Sequence, residues 1–356
     1  MSNKTNPGNY FEGFSIGQEI RHATPRTVSE GDVSLYTALY GMRFAVQSSD
    51  VFAMDLDFEV APVDDLLAFH IAFGKTVPDI SLNAVANLGY AGGRFGVPVN
   101  PGDTITTTST VIGLKQNSNG KTGVVYVRSV AVNQIDEMVV DYVRWVMVRK
   151  KDVAAPAPEA VVPELPEAVA FADLIVPEEI DMSGYDATLA GSPHLWEDYE
   201  VGEKIDHVDG STIEEAEHMM ATRLYQNTAK VHFNQHTEGQ GRFGRRLIYG
   251  GHIISLARAL SFNGLANAFK IAAINGGRHV APTFAGDTIY AWTEVLDKAE
   301  VANEDGSPRQ DMGALRLRTV ATKDRPCADF PDKDADGKYD PAVVLDFDYT
   351  VLMPKK

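Results

Sequence analysis

The sequence contains one domain-sized segment twice, and this duplication is its strongest constraint on the fold. Residues 11–17 (FEGFSIG) parallel residues 196–202 (WEDYEVG) at an offset of 185. Residues 92–105 and 276–289 share Gly-Gly-Arg, a proline and Gly-Asp-Thr-Ile at an offset of 184. This period is too long for a solenoid repeat. The sequence therefore predicts two copies of one domain.

A proline- and alanine-rich segment separates the two copies. Residues 152–166 read DVAAPAPEAVVPELP, a composition that favours a semi-extended linker. We therefore assign residues 1–150 to the first copy, 151–190 to the linker and 191–356 to the second copy.

Each copy has the pattern of an α+β domain. A polar helix is predicted over residues 30–40 and 214–226, and a longer apolar helix over 80–88 and 251–265. Alternating strand patterns cover residues 104–112, 124–132, 139–148, 288–296, 314–322 and 343–352. An apolar helix followed by long antiparallel strands predicts a sheet that wraps around a central helix.

Composition excludes several classes of partner. The formal net charge of −17 argues against nucleic acid, because phosphate binding requires a basic face.

The sequence also bears on location. No run of about 18 apolar residues is present, so we predict no membrane span. The stretch MSNKTNPGNYFEGF has no basic start, so we predict no signal peptide. The single cysteine, Cys327, cannot form an intramolecular disulfide, which favours a reducing cytoplasm.

The differences between the copies indicate where chemistry lies. Residues 224–233 read LYQNTAKVHF where the first copy reads LYGMRFAVQ, so Asn227 corresponds to Met42 and His232 to Gln47. An imidazole titrates near neutrality, so His232 is the candidate base. The alternative is a structural histidine. We predict a reactive second copy and a first copy without catalytic residues.

Asn227 is the second candidate in this segment. A carboxamide cannot act as a base, but it donates and accepts hydrogen bonds and can hold water or a substrate group. The alternative is a residue that caps the preceding helix. His236 could share a helical face with His232, but no carboxylate or cysteine cluster joins them, so we predict no metal site.

Gly250 and Gly251 begin the apolar helix of the second copy. The N–H groups and dipole of a helix N-terminus favour negative charge, and glycine permits close approach of a ligand. The pair therefore predicts an oxyanion hole, with a plain tight turn as the alternative. Ile80 and Ser81 correspond to this pair if FGK (73–75) is aligned with FGR (243–245).

Arg242, Arg245 and Arg246 form a basic cluster in an acidic chain. Guanidinium groups bind phosphates and carboxylates through paired hydrogen bonds, so the cluster is a candidate anion site. The alternative is a solvated loop face. The chain contains no P-loop and no dinucleotide-binding fingerprint.

These motifs together resemble the MaoC-like R-specific enoyl-CoA hydratases in their double hotdog form. Members carry Asp-x-Asn-Pro-x-His, and the second copy has Asn227 and His232 at that spacing, YGGH at 249–252 and a Pro-x-x-x-Gly-Asp turn at 282–287. Residues 224–269 are most similar to a subgroup that acts on mesaconyl-CoA. The resemblance implies a double hotdog fold and a hydro-lyase that hydrates mesaconyl-CoA reversibly to β-methylmalyl-CoA.

The resemblance also implies the partners and the roles of the candidate residues. The substrate would be an acyl-CoA thioester, with no cofactor beyond its coenzyme A, and double-hotdog units would pair into a homo-oligomer. The arginine cluster would bind coenzyme A phosphates or a substrate carboxylate. Asn227 replaces the family's Asp, and a neutral side chain would not repel a second substrate carboxylate. A hydratase for another enoyl-CoA, a thioesterase and a non-catalytic acyl-CoA binding protein are the alternatives.

Overall fold

The two halves of the chain fold into the same succession of helices and strands. The computed structural model describes residues 4–303, 305–328 and 332–356. The helices are α1 (Glu30–Tyr40), α2 (Ala45–Ser48), α3 (Asp50–Met54), α4 (Asp65–Thr76), α5 (Ala187–Ala190), α6 (Glu215–Leu224), α7 (Lys230–Phe233), α8 (Gln235–Glu238), α9 (Gly250–Leu260) and α10 (Phe262–Leu265). The strands are β1 (Glu19–Arg21), β2 (Arg26–Thr27), β3 (Ala84–Phe95), β4 (Thr104–Gln116), β5 (Thr122–Val132), β6 (Met138–Arg149), β7 (Lys204–Asp206), β8 (Ser211–Thr212), β9 (Lys270–His279), β10 (Thr288–Ala302), β11 (Pro308–Lys323) and β12 (Val343–Pro354).

Across the described parts of the chain, the strands of both halves join into one antiparallel sheet of 12 strands. Its main path is β1-β4-β5-β6-β3-β9-β12-β11-β10-β7, with β2 and β8 paired to β4 and β10. The halves meet where β3 pairs with β9, with Tyr90 opposite Gly277 and Gly93 opposite Ile274. The duplication therefore produces a single continuous sheet.

The two long helices α4 and α9 lie in the core, covered by this sheet. Every residue of α4 from Leu66 to Thr76 is buried, and so is every residue of α9 from Gly251 to Arg258. Burial on all sides explains why both helices are apolar around most of their circumference. The predicted arrangement of a sheet around central helices is confirmed.

Corresponding residues of the two halves contact each other on a pseudo-twofold axis. His70 Nε2 lies 3.1 Å from Ser255 Oγ, and the two residues are 185 positions apart. The hydroxyls of Tyr40 and Tyr225, also 185 positions apart, lie 2.7 Å from each other. Such contacts between equivalent positions are typical of a twofold interface, here within one chain.

The helix predicted over residues 80–88 is wrong. The central helix of the first half is α4, and residues 84–95 form β3, which pairs with β6 on one side and β9 on the other. Pairing on both sides outweighs the short helical spacing of apolar residues there, because tertiary contacts override local propensity. The predictions for α1, α6 and the α9 region are confirmed within a few residues.

The alignment of Ile80 and Ser81 with the glycine pair is wrong for the same reason. α4 and α9 begin at Asp65 and Gly250, which are separated by the same offset of 185. Asp65 therefore occupies the place of Gly250. Its carboxylate lies 3.0 Å from Lys270 Nζ and accepts a hydrogen bond from the Ile271 N–H at 2.8 Å.

The N-terminus of α4 is closed by the chain itself. The side chain of Asp64, the residue before the helix, accepts a hydrogen bond from the Leu66 N–H at 2.9 Å. With the Asp65 carboxylate bound to Lys270, two acidic side chains occupy the end of this helix. A negative ligand is therefore excluded from the first-half counterpart of the glycine pair.

The segment between the halves follows an irregular path across the sheet. Val161 pairs with Leu114 in an isolated bridge, and the Val169 N–H donates to Asn275 Oδ1 at 2.9 Å. Further along, the Pro177 carbonyl accepts from Arg309 at 3.0 Å. Within the described residues, no helix combines the length and apolar character that a bilayer span would require.

Candidate active site

His232 lies on the short helix α7, and its tautomer follows from one contact. Its Nδ1 lies 2.8 Å from the Leu247 carbonyl oxygen. A carbonyl oxygen can only accept, so Nδ1 carries the proton and donates it, and Nε2 is left with the basic lone pair. Burial lowers the pKa of His232 to about 4. The imidazole is therefore a neutral base at neutral pH.

Asn227 is buried and holds the loop that leads into α7. Its Oδ1 accepts a hydrogen bond from the Ala229 N–H at 3.1 Å, and its own N–H donates to the Thr222 carbonyl at 2.9 Å. Asn227 does not cap the preceding helix, which was the alternative. The C-cap of α6 is Tyr225, and the residue with a left-handed backbone conformation after it is Gln226. The carboxamide thus orients the turn that carries His232.

The aromatic surroundings of His232 connect it to the start of α9. The His232 ring centroid lies 5.5 Å from that of Tyr249, the residue before α9, and 6.2 Å from that of His218. His218 Nε2 accepts a hydrogen bond from the Tyr249 N–H at 2.9 Å. The His252 ring centroid lies 5.6 Å from that of His218. On the same ring, Nδ1 lies 2.8 Å from the Tyr40 hydroxyl oxygen.

Five histidines occupy this region, and four of them had no predicted role. Burial lowers the pKa of His218 to about 2, of His70 and His252 to about 3, and of His279 to about 4, as it does for His232. The cluster is therefore uncharged at neutral pH. Among the residues that the structure describes, no three or more His, Cys, Asp or Glu side chains are placed to hold a metal ion.

The glycine pair is required by rings that pack against the first turn of α9. A Cβ on Gly250 would lie 2.3 Å from His279 Cε1, and a Cβ on Gly251 would lie 2.4 Å from Tyr249 Cε1 and 2.5 Å from His70 Cε1. No described side chain caps this turn. Its first N–H groups are thus available to a negatively charged oxygen beside His232.

Two of the three predicted arginines converge beside His218. Arg245 and Arg246 line a cavity of about 170 Å³ together with His218 and Glu215. Arg246 Nη2 lies 2.7 Å from a Glu215 carboxylate oxygen, and its buried Nε has no hydrogen-bond partner among the described residues. The cavity therefore offers donors to an anion.

The third arginine of the cluster is placed differently. Arg242 is exposed, does not line that cavity, and lies over the Phe243 ring with 5.1 Å between guanidinium and ring centroid. Arg245 lies over the Phe284 ring at 4.1 Å. The two exposed arginines thus form a natural comparison for binding experiments.

The positions in the first half that correspond to Asn227 and His232 carry no acid or base. Met42 is buried in the core. Gln47 Nε2 donates to the Phe269 carbonyl oxygen at 2.6 Å. These two positions of the first half therefore supply no group that could transfer a proton.

A larger cavity, of about 720 Å³, lies at the opposite end of α9 and is lined by Tyr40, Arg43, Leu256 and Phe262 among others. It contains neither His232 nor the glycine pair. We assign it no part in the chemistry, because no described acid or base of the His232 cluster reaches it.

Comparison with known proteins identifies relatives over the full length of the chain. The sequence model of the family described as mesaconyl-CoA hydratase matches residues 2–328. The chain is 70% identical over 356 residues to β-methylmalyl-CoA dehydratase of Chloroflexus aurantiacus, covering 100% of both chains. It is 60% identical over 352 residues to mesaconyl-CoA hydratase of Cereibacter sphaeroides, covering 99% of this chain and 100% of the relative.

Solved structures show the same fold. A putative MaoC domain protein dehydratase of Chloroflexus aurantiacus superposes with a TM-score of 0.96 at 70% identity, over 100% of both chains. A conserved hypothetical protein of Mycobacterium tuberculosis, described as a double hotdog fold, superposes with a TM-score of 0.77 at 25% identity, over 98% of this chain and 99% of that one. The predicted double hotdog fold is confirmed.

Proposed function

We infer the reaction of this chain from its family, because it belongs to the mesaconyl-CoA hydratase family. It is a hydro-lyase that adds water reversibly to mesaconyl-CoA and forms β-methylmalyl-CoA. The observation that carries the assignment is the position of His232. Its Nδ1 is bound to the Leu247 carbonyl, and its ring lies 5.5 Å from that of Tyr249, the residue before the uncapped start of α9.

His232 is the acid/base group of the proposed mechanism. Its Nε2 takes a proton from the water whose oxygen bonds to the β-carbon. The resulting imidazolium returns a proton to the α-carbon, so the histidine is regenerated. Because burial lowers the pKa of His232 to about 4, this imidazolium is a strong acid for a histidine and releases its proton readily. Dehydration follows the same steps in reverse.

Gly250 and Gly251 stabilise the charge that develops on the thioester oxygen. As water adds to the β-carbon, electron density moves through the conjugated system to that oxygen until the α-carbon is protonated. Backbone N–H groups at a helix N-terminus donate to such an oxygen and gain from the helix dipole. No described side chain competes for them in α9, whereas Asp64 occupies the equivalent place in α4.

Asn227 positions the reacting groups without taking a proton. Its Oδ1 is engaged by the Ala229 N–H, and its Nδ2 carries hydrogens that can donate to water or to the substrate carboxylate. Mesaconyl-CoA carries that carboxylate on the β-carbon, next to the site of attack. A neutral carboxamide at position 227 therefore suits this substrate better than a second anion.

Arg245 and Arg246 provide positive charge for the substrate carboxylate or the coenzyme A phosphates. Arg245→Gln is expected to raise KM for mesaconyl-CoA about tenfold or more, with a smaller change in kcat, since a charge-assisted hydrogen bond contributes about 1.5–3 kcal/mol. Steady-state kinetics measure both constants. Arg242→Gln removes the same charge outside the cavity and serves as the matched control. Equal effects of both variants would contradict the assignment of the cavity.

One assay separates the candidate functions. The protein is incubated with mesaconyl-CoA while the absorbance of the conjugated thioester and the release of free thiol are followed. Loss of conjugation without thiol release is expected, and thiol release would indicate a thioesterase. If neither signal changes, the assignment to this substrate is wrong. Crotonyl-CoA, which lacks the second carboxylate, tests the alternative of a general enoyl-CoA hydratase.

The cofactor, the oligomer and the compartment stay predictions. Hydration involves no net redox change, so the proposed steps require nothing beyond the substrate, water and the groups named above. Pairing of double-hotdog units is expected from the family resemblance, and a cytoplasmic location from the single cysteine.

A further inference from the structure

His279 is the last residue of β9, and it differs from its counterpart in the first half. The matching segments end in Gly-Gly-Arg-His at 276–279 and Gly-Gly-Arg-Phe at 92–95. Phe95 is buried in the core, so packing at this position requires only an aromatic ring. The imidazole occurs in the half that contains His232. This correlation points to a role in the reaction.

The His279 ring lies directly against the start of α9. A Cβ on Gly250 would lie 2.3 Å from its Cε1 and 2.5 Å from both Nδ1 and Nε2. The first half has Asp65 in the place of Gly250 and Phe95 in the place of His279. The glycine and the histidine therefore both occur in the second half and are both absent from the first. An oxygen bound by the Gly250 N–H therefore lies beside the imidazole.

The contacts of His279 leave one of its nitrogens for a ligand. Nε2 lies 3.4 Å from the Tyr90 hydroxyl, which is supplied by β3 of the first half. If that hydroxyl donates to Nε2, the hydrogen lies on Nδ1 and can be donated elsewhere. The residue is partly exposed, unlike His252.

His279 is neutral under the conditions in which His232 is a base. Burial of the ring lowers its pKa to about 4, and the neighbouring His232 contributes to the decrease. A neutral imidazole beside a helix N-terminus can donate one hydrogen bond to a carbonyl oxygen and polarise it without giving up its proton. The neutral His279 imidazole is therefore better suited to donate a hydrogen bond than to act as a second base.

We propose that His279 Nδ1–H donates a hydrogen bond to the thioester oxygen of the substrate and forms the oxyanion hole together with the Gly250 N–H. The proposal rests on the proposed function and adds a side-chain donor to it. No covalent bond to His279 forms and no proton leaves it. The hydrogen bond strengthens as negative charge develops on the oxygen, so it lowers the barrier more than it favours substrate binding.

Two variants of His279 distinguish donation from packing. His279→Phe introduces the ring that the first half has at position 95, and it is expected to lower kcat about 10²-fold with little change in KM. His279→Asn keeps a donor close to the position of Nδ1, and it is expected to retain kcat within about tenfold of wild type. Equal losses in both variants would contradict the proposal.

A spectroscopic measurement tests the hydrogen bond without turnover. In the His232→Ala background, bound mesaconyl-CoA is expected to absorb at longer wavelength than free mesaconyl-CoA, because donors polarise the conjugated thioester. Adding His279→Phe should reduce this shift, and adding His279→Asn should preserve most of it. An unchanged shift in the His279→Phe double variant would overturn the proposal. Wild-type turnover of mesaconyl-CoA tests the proposed function independently.

Discussion

Replacing His232 by alanine is expected to lower kcat/KM for mesaconyl-CoA about 10³-fold, within the range of general acid/base catalysis. The variant retains the glycine pair and the arginines, so binding should persist while proton transfer is lost. Loss of the conjugated thioester absorbance measures the rate. His236→Ala, an exposed histidine on the neighbouring helix α8, is the matched control and should stay within about twofold of wild type.

The pH dependence of the same reaction gives a second readout for His232. Because its pKa is lowered to about 4, the neutral base persists well below the ordinary pKa of 6.5. The kcat/KM of the wild type should therefore stay level from neutral pH down to about pH 5 and fall as His232 becomes protonated. Residual activity of His232→Ala within tenfold of wild type would exclude it as the base.

Gly250→Ala is expected to produce the second large effect, a fall in kcat of about 10²-fold or more. The new Cβ would lie 2.3 Å from His279 Cε1, so either the ring or the first turn of α9 must move. A displacement of about 1 Å in a catalytic group can cost 10²-fold in rate. Thermal unfolding should show a lower Tm as well, because the clash lies in a packed region.

A control for Gly250→Ala is available on the same strand as His279. The Cβ of Gly276→Ala would lie 4.0 Å from its nearest neighbour, Asp348 Cβ, so this variant should keep both kcat and Tm close to wild type. Wild-type activity in Gly250→Ala would show that neither the glycine nor the contact with His279 matters for catalysis.

The long strands of the fold were predictable except for the two at its centre. β3 contains Gly89, Gly92 and Gly93, and β9 contains Gly276 and Gly277. Glycine weakens the local preference for a strand. Both strands are stabilised by pairing on two sides, because β3 lies between β6 and β9, and β9 lies between β3 and β12. That information lies in contacts far apart in the sequence, so local patterns could not reveal it.

The candidate site was predictable where its residues are adjacent in sequence. His232 and Asn227 could be found because the two copies differ there, and the same comparison of His279 with Phe95 was available. The offset of 185, which holds for the segments before the central helices, also assigns Asp65 to the place of Gly250, whereas the local match of FGK with FGR misled the alignment. The hydrogen bond from Tyr249 to His218 required the structure, because helix α6 brings that ring to the site.

The covalent connection between the halves has an evolutionary consequence. In a symmetric dimer of identical chains, one mutation changes both sites, so a substitution that inactivates one site inactivates the other. Here β3 and β9 form the seam within one chain, and each side of the seam can mutate separately. The first half can therefore carry Asp65 and Phe95, where the second half has Gly250 and His279, without loss of the working centre. Gene fusion thus releases half of a symmetric protein from the selection that maintains its other half.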